Sequence, residues 1–231
     1  MMVSVIVSSR GLVGSSLPVA AAAAQCRKSH VTFGPGPAEP TRGTLDGMNE
    51  SAPVAHAAIV YESMFGSTRQ VAEAIAEGLR ESTTVTVVRV KDAPETFPDV
   101  DLLLVGAPTH AHGMSRPATR VEAGKWSDDP DRSLVLEPDA EGIGVREWLD
   151  TCGEPPARFA AFDTRADMTE LFTGSAASAI DKRLHRLGSR RLAHKHSFLV
   201  DKDSVLVPGQ LDEARAWGRE LSAALRSVAM V

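Results

Sequence analysis

The chain has 231 residues, 43% hydrophobic and 24% charged, enough apolar mass for one domain with an appendage. Its formal charge of −5 gives it no electrostatic reason to favour nucleic acid or an anionic lipid surface. The two cysteines, Cys26 and Cys152, stand far apart and outside any CxxC pattern. That argues against a disulfide scaffold, a zinc site or thiol redox chemistry, and suits a reducing, cytoplasmic setting.

Residues 1–54 differ from the rest. They hold the alanine run Ala20–Ala24 and the turn-rich Phe33-Gly34-Pro35-Gly36-Pro37, with no apolar periodicity. Three readings fit: a weak signal peptide around the uncharged Leu12–Ala24, a disordered extension, or a natural start at Met48. No stretch of the sequence is apolar for long enough to span a membrane.

From Ala57 the pattern alternates between strand and helix. Ala58–Tyr61 is a short apolar run, and Val71, Ala72, Ile75, Ala76 and Leu79 follow at helical spacing. Thr83–Val90 alternates, with Val85 and Val87 on one face, as a half-exposed edge strand does. Leu102–Val105 is continuously apolar, as a central strand covered on both faces is. The acidic, proline-containing residues 127–142 predict a surface excursion. Arg158–Phe162 and Ser197–Val200 supply two more strands around a helical stripe at Ala176, Ile180, Leu184 and Leu187. Leu211, Ala214, Gly218, Leu221, Leu225 and Val228 mark a closing helix. Five strands alternating with helices predict an α/β domain over residues 55–231: a doubly wound parallel sheet with helices on both faces.

The turn from the first strand into the first helix carries the chemistry. Ser63, Ser67 and Thr68 place hydroxyls where the helix's unpaired N–H groups converge and its dipole favours an anion. Gly66 lets the backbone wrap closely around that anion. A helix cap alone needs one hydroxyl, so the cluster points to a phosphomonoester held by neutral donors. There is no GxGxxG and no P-loop lysine.

The run Ile59-Val60-Tyr61-Glu62-Ser63-Met64-Phe65-Gly66-Ser67-Thr68, with Ala72 and Ile75 downstream, resembles the flavodoxin family signature at each constrained position. The resemblance covers about residues 57–228. It implies a five-stranded sheet in the order 2-1-3-4-5, FMN as the cofactor, and Ser63, Met64, Phe65, Gly66, Ser67 and Thr68 as its phosphate site. Gly106-Ala107-Pro108-Thr109-His110-Ala111-His112-Gly113 is similar to the family's second flavin loop, and Phe162-Asp163-Thr164-Arg165 stands in the position of the third. Both resemble loops of actinobacterial flavodoxin-like proteins. The implied ring site is then Pro108, Thr109, His110, Ala111, His112 and Gly113 with Asp163, Thr164 and Arg165.

One departure bears on function. Small electron-carrier flavodoxins sandwich the ring between Trp and Tyr, but neither later loop holds either; Trp126 and Trp148 lie between the loops in sequence. Arg165, His110 and His112 are the groups expected to favour the reduced anion. Two-electron reduction of a small acceptor such as a quinone then competes with electron transfer to a redox partner or from a nicotinamide-dependent reductase. A flavin-free interaction module on the same fold is the alternative. His110 and His112 at i, i+2, with no third ligand, make a weak metal signal, and no G-x-S-x-G hydrolase elbow occurs. Lys182, Arg183, Arg186, Arg190, Arg191 and Lys195 form a basic helix region, read either as a solvated face or as a patch for an acidic partner or an anionic nicotinamide cofactor.

Overall fold

A computed structural model of the chain describes residues 54–229; the readings of residues 1–53 fall outside them. Strand β1 (His56–Tyr61) leads through the first loop into helix α1 (Ser67–Leu79). After it come β2 (Thr84–Arg89), β3 (Leu102–His110), the short β4 (Gly113–Met114), α2 (Pro117–Lys125) and α3 (Val145–Thr151). The chain continues with β5 (Arg158–Ala166), the single-turn α4 (Glu170–Thr173), α5 (Ala176–Arg186), β6 (Arg190–Arg191), β7 (His196–Val200) and α6 (Gln210–Ala229).

The sheet runs β2-β1-β3-β5, with β6 and β7 both pairing with β5, and all of these pairings are parallel. Counted by principal strands, this is the expected 2-1-3-4-5 order. Two additions were not expected. Strand β4 folds back antiparallel on the end of β3, and the fifth strand is split into β6 and β7.

Alternation along the strands sorts the core into two layers. Ala57, Ile59, Leu102, Leu104, Ala160 and Phe162 face α1 and α6, while Ala58, Val60, Leu103, Val105, Phe159 and Ala161 face α3 and α5. Each fully buried Leu, Ile or Phe among them contributes about 1.5–3 kcal/mol.

Helices α1 and α6 touch backbone to backbone. A Cβ on Gly218 would lie 2.3 Å from the Ile75 carbonyl oxygen, and one on Gly78 would lie 2.1 Å from that of Arg215. Alanine favours a helix by about 1 kcal/mol over glycine, yet here the methyl has nowhere to go. Gly218→Ala is expected to lose about 1–3 kcal/mol through overpacking, read as a lower urea midpoint with an unchanged m-value.

Strands β3 and β5 run past the apolar stretches that predicted them. Their register continues from Leu102↔Arg158 to Pro108↔Thr164, so the expected second and third loops begin as paired strand. The excursion at 127–142 is also more than a surface loop. Its Glu137 N–H donates to the Met64 carbonyl at 2.8 Å, and the Glu137 carboxylate accepts from Arg69 Nε at 2.6 Å and Arg89 Nη2 at 2.7 Å.

Candidate cofactor site

A cavity of about 460 Å³ opens at the carboxyl ends of β1, β3, β5 and β7. Strand order reverses between β1 and β3, and loops there diverge to leave a crevice. Met64, Phe65, Ser67 and Thr68 form one wall, Pro108, Thr109, His110 and Ala111 the second, and Thr164 and Arg165 the third. Most of the predicted site residues are therefore brought together.

At the first loop, Gly66 takes a left-handed φ of 95° and precedes α1, a conformation open to glycine without cost. The N–H groups of Ser67, Thr68 and Arg69 open the helix, with no helical carbonyl one turn earlier to receive them. Thr68 Oγ1 lies 2.7 Å from Thr164 Oγ1; one proton serves that contact and the other hydroxyl proton remains to donate. Ser67 Oγ donates to the Ser204 carbonyl, which ties the turn after β7 to the loop. Ser63 acts within the loop: its Oγ accepts the Gly66 N–H at 3.1 Å, and the side chain is buried outside the cavity wall.

The second loop divides. Thr109↔Met114 and His110↔Gly113 pair as a hairpin whose tip, Ala111 and His112, has φ values of 43° and 71°. Left-handed backbone at two non-glycine residues is costly and persists only where surrounding pairing enforces it. This turn points the two histidines apart. His110 and Ala111 line this cavity, whereas His112 lines a different one with Met114. His112 and Gly113 thus lie outside the cavity in which they were expected. Burial, helped by the charge of Arg120, lowers the His110 pKa against a bond to the Thr119 backbone, which disfavours its cation.

Asp163 also turns away from the cavity. It is fully buried, and its Oδ2 accepts from Ser175 Oγ at 2.7 Å, the Ala177 N–H at 2.9 Å and Thr109 Oγ1 at 3.0 Å. It belongs to the seam between sheet and α5. Arg165 stays at the cavity, with Nη1 donating to the carbonyl of Met168.

Three contributions escaped sequence reading. Thr119, Glu122 and Trp126 reach the cavity from α2 and the 3-10 turn after it. Trp126 supplies the aromatic missing from both ring loops, with the Arg132 guanidinium 5.1 Å from its ring centroid. Trp148 instead packs edge-on against Phe97 in the core. Val200, Asp201, Lys202 and Ser204 close the end of the cavity beside Ser67. The fifth strand's place beside β5 was the available signal, since it puts the loop after β7 at the same sheet edge.

An open parallel sheet with a nucleotide-sized cavity across these strand ends defines the doubly wound nucleotide-binding class. The sequence profile of the flavodoxin family matches residues 59–223. The chain belongs to the flavodoxin family, a family of flavin-binding redox proteins. Among solved structures, it is similar to Flavodoxin 2 from Bacillus cereus, with 15% identity over 75% of this chain and 99% of that one, at a TM-score of 0.51. Flavodoxin 1 from the same organism gives 16%, 73%, 98% and 0.50. The Flv1 flavodiiron core from Synechocystis sp. gives 14% identity and a TM-score of 0.52, but the match covers only 37% of that chain and 76% of this one. At these identities the likeness concerns the fold. Among the described residues, no helix is long and apolar enough to cross a membrane.

Proposed function

We propose that the chain binds FMN in this cavity and acts as a cytoplasmic redox protein, exchanging electrons with a reductase or redox partner or with a small acceptor such as a quinone. The observation that carries the reading is the placement of the first turn of α1, with the Thr68 hydroxyl, at one end of a cavity walled by the Pro108–Ala111 and Thr164–Arg165 segments. FMN, when bound, supplies the capacity to take up and release one or two electrons. The residues supply the rest. Thr68 and the opening N–H groups of α1 bind the phosphate; Lys202 at the same end is neutralised by Asp203 at 2.6 Å, so the cradle works through neutral donors. Pro108–Ala111 and Thr164–Arg165 orient the ring. Trp126, Phe65 and Met64 exclude water from its faces. Neutral His110 offers a hydrogen bond without charge, which leaves Arg165 as the cation beside the ring. A volume of about 460 Å³ and a monophosphate cradle favour FMN over FAD.

The purified protein is expected to be yellow, and chromatography of the extracted cofactor is expected to return FMN. Stoichiometric FAD, or a colourless protein that added FMN fails to colour, overturns the reading and returns the chain to a flavin-free role. Location is tested by fluorescence: FMN is expected to quench Trp126, and Trp126→Phe to remove most of that signal, since Trp148 and Trp217 are core residues. Thr68→Val is expected to weaken FMN binding by about 1–3 kcal/mol, the loss of one hydroxyl donor to a charged acceptor. Unchanged affinity in the titration places the phosphate elsewhere.

A further inference from the structure

A second cavity, of about 580 Å³, lies across the β3–β4 hairpin from the first. His110 and Ala111 line one side of that hairpin; His112 and Met114 line the other. Its remaining walls come from α3 and α5 and bring together Arg146, Lys182, Arg183 and Arg186 in a chain whose net charge is −5.

Carboxylates in the cavity account for only part of that charge. Asp150 accepts from Arg183 Nη2 at 2.5 Å, and Glu170 is held by Lys195 at 2.8 Å. Among the described residues, Arg146, Lys182 and Arg186 form no ion pair. Arg146 is the informative one. Its Nε donates to the Ser115 carbonyl at 2.9 Å and its Nη2 to the Met114 carbonyl at 2.7 Å. Two neutral acceptors fix the half-buried guanidinium and leave its charge uncompensated and its Nη1 without a partner among the described residues. A cation oriented in advance and left unneutralised at a cavity wall is an arrangement for receiving an anion. Lys182 and Arg186 stand one turn apart on the α5 face that lines the same cavity, so the positive charge extends along the wall.

We propose that this cavity binds a diphosphate-bearing anion of the nucleoside-diphosphate class. Three cations spread over two helices exceed what one phosphate oxygen cluster engages, and guanidinium groups match phosphate oxygens as paired donors. The concavity suits a small molecule. The assignment stands on these residues alone and does not require FMN next door.

Isothermal titration of the full chain with inorganic pyrophosphate, ADP and oxidised nicotinamide adenine dinucleotide phosphate tests it, both without FMN and after saturation with FMN. Saturable 1:1 binding is expected in both states. The exposed double variant Lys182→Glu/Arg186→Glu is expected to weaken it by about tenfold or more, with FMN binding unchanged; Arg146→Gln is expected to act in the same direction. Tighter binding of ADP than of pyrophosphate identifies a nucleotide ligand, and a further gain with the dinucleotide identifies the nicotinamide cofactor. No saturable binding, displacement of the probe by FMN, or an affinity unmoved in the double variant overturns the proposal.

Discussion

Replacing Arg120 with methionine is expected to cost about 3–5 kcal/mol of folding free energy at neutral pH, because it leaves the buried Glu62 and the half-buried Glu147 without their cation. Arg120 is 2% exposed and Glu62 is 3% exposed. The guanidinium contacts Glu147 at 3.0 Å and donates to Ser115 Oγ at 2.8 Å, while Glu62 Oε2 accepts the Val145 N–H at 2.8 Å. A single Cβ built on Gly144 would sit 2.5 Å from Arg120 Nη1, 2.7 Å from Glu62 Oε2 and 3.0 Å from Ser115 Oγ, so the three groups surround one methyl-sized space. They join the end of β1 to the hairpin, α2 and α3.

The same cluster gives the loss a pH signature. Burial raises the Glu62 pKa above its ordinary 4.5, against the lowering influence of Ser115, the Val145 N–H and Arg120. Folded Glu62 therefore holds its proton to higher pH than the unfolded chain does. The stability this confers is complete below about 4.5 and is lost as pH rises through the folded value. Removing Arg120 removes one of the lowering influences, so the folded value climbs and the window widens. The gap between wild type and Arg120→Met should be largest at neutral pH and narrow in acid. His110 also feels Arg120, and Glu62→Gln separates the two effects: in the Arg120→Met background it should restore part of the lost stability at pH 7. Urea unfolding across a pH series decides. A gap that is constant with pH, or no recovery from Glu62→Gln, would show that the cluster is held by packing rather than by charge.

What was legible in the sequence was local. The hydroxyls around Gly66 sit within one turn of chain, and the apolar runs of β1, β3 and β5 announce their own burial, so the sheet and the first wall of the cavity follow from short stretches. Strand ends did not follow, because Pro108 interrupts the apolar run of β3 and lacks an N–H, and the ends of β3 and β5 are fixed by pairing with distant partners, Pro108 with Thr164, Thr109 with Met114 and Thr164 with Phe198. The split between His110 and His112 depends on left-handed backbone at Ala111 and His112, which neither residue type advertises. Trp126 was visible as an aromatic, but α2 has no apolar stripe to say which face it turns inward. Glu62 and Asp163 looked like loop acids; their burial is set by partners 83 and 14 residues away, Val145 and Ala177.

Asp163→Ala is expected to lose about 3–5 kcal/mol, since it strands donors that converge on one carboxylate oxygen, each worth about 1–3 kcal/mol when buried and unmade. The Ser175 and Thr109 hydroxyls can rotate toward other acceptors; the Ala177 N–H cannot, because it is fixed in the first turn of α5. Alanine also removes a negative charge from the N-terminal end of that helix, where the dipole favours it. Asp163→Asn should cost less. Its amide oxygen can keep the Ala177 N–H, and its NH2 can occupy the place of Oδ1, which meets no donor among the described residues. The pair of variants also separates a positioning role from direct cofactor contact. Thr109 Oγ1 both donates to Asp163 and accepts the Ala176 N–H at 2.9 Å, so the second cavity wall leans on Asp163 without Asp163 touching the cavity. FMN affinity should therefore fall in step with stability, and Asp163→Asn should remain a better FMN binder than Thr68→Val. A variant that melts like wild type yet fails to bind FMN would mean that Asp163 turns toward the cofactor in the loaded protein, and would restore it to the set of direct contacts.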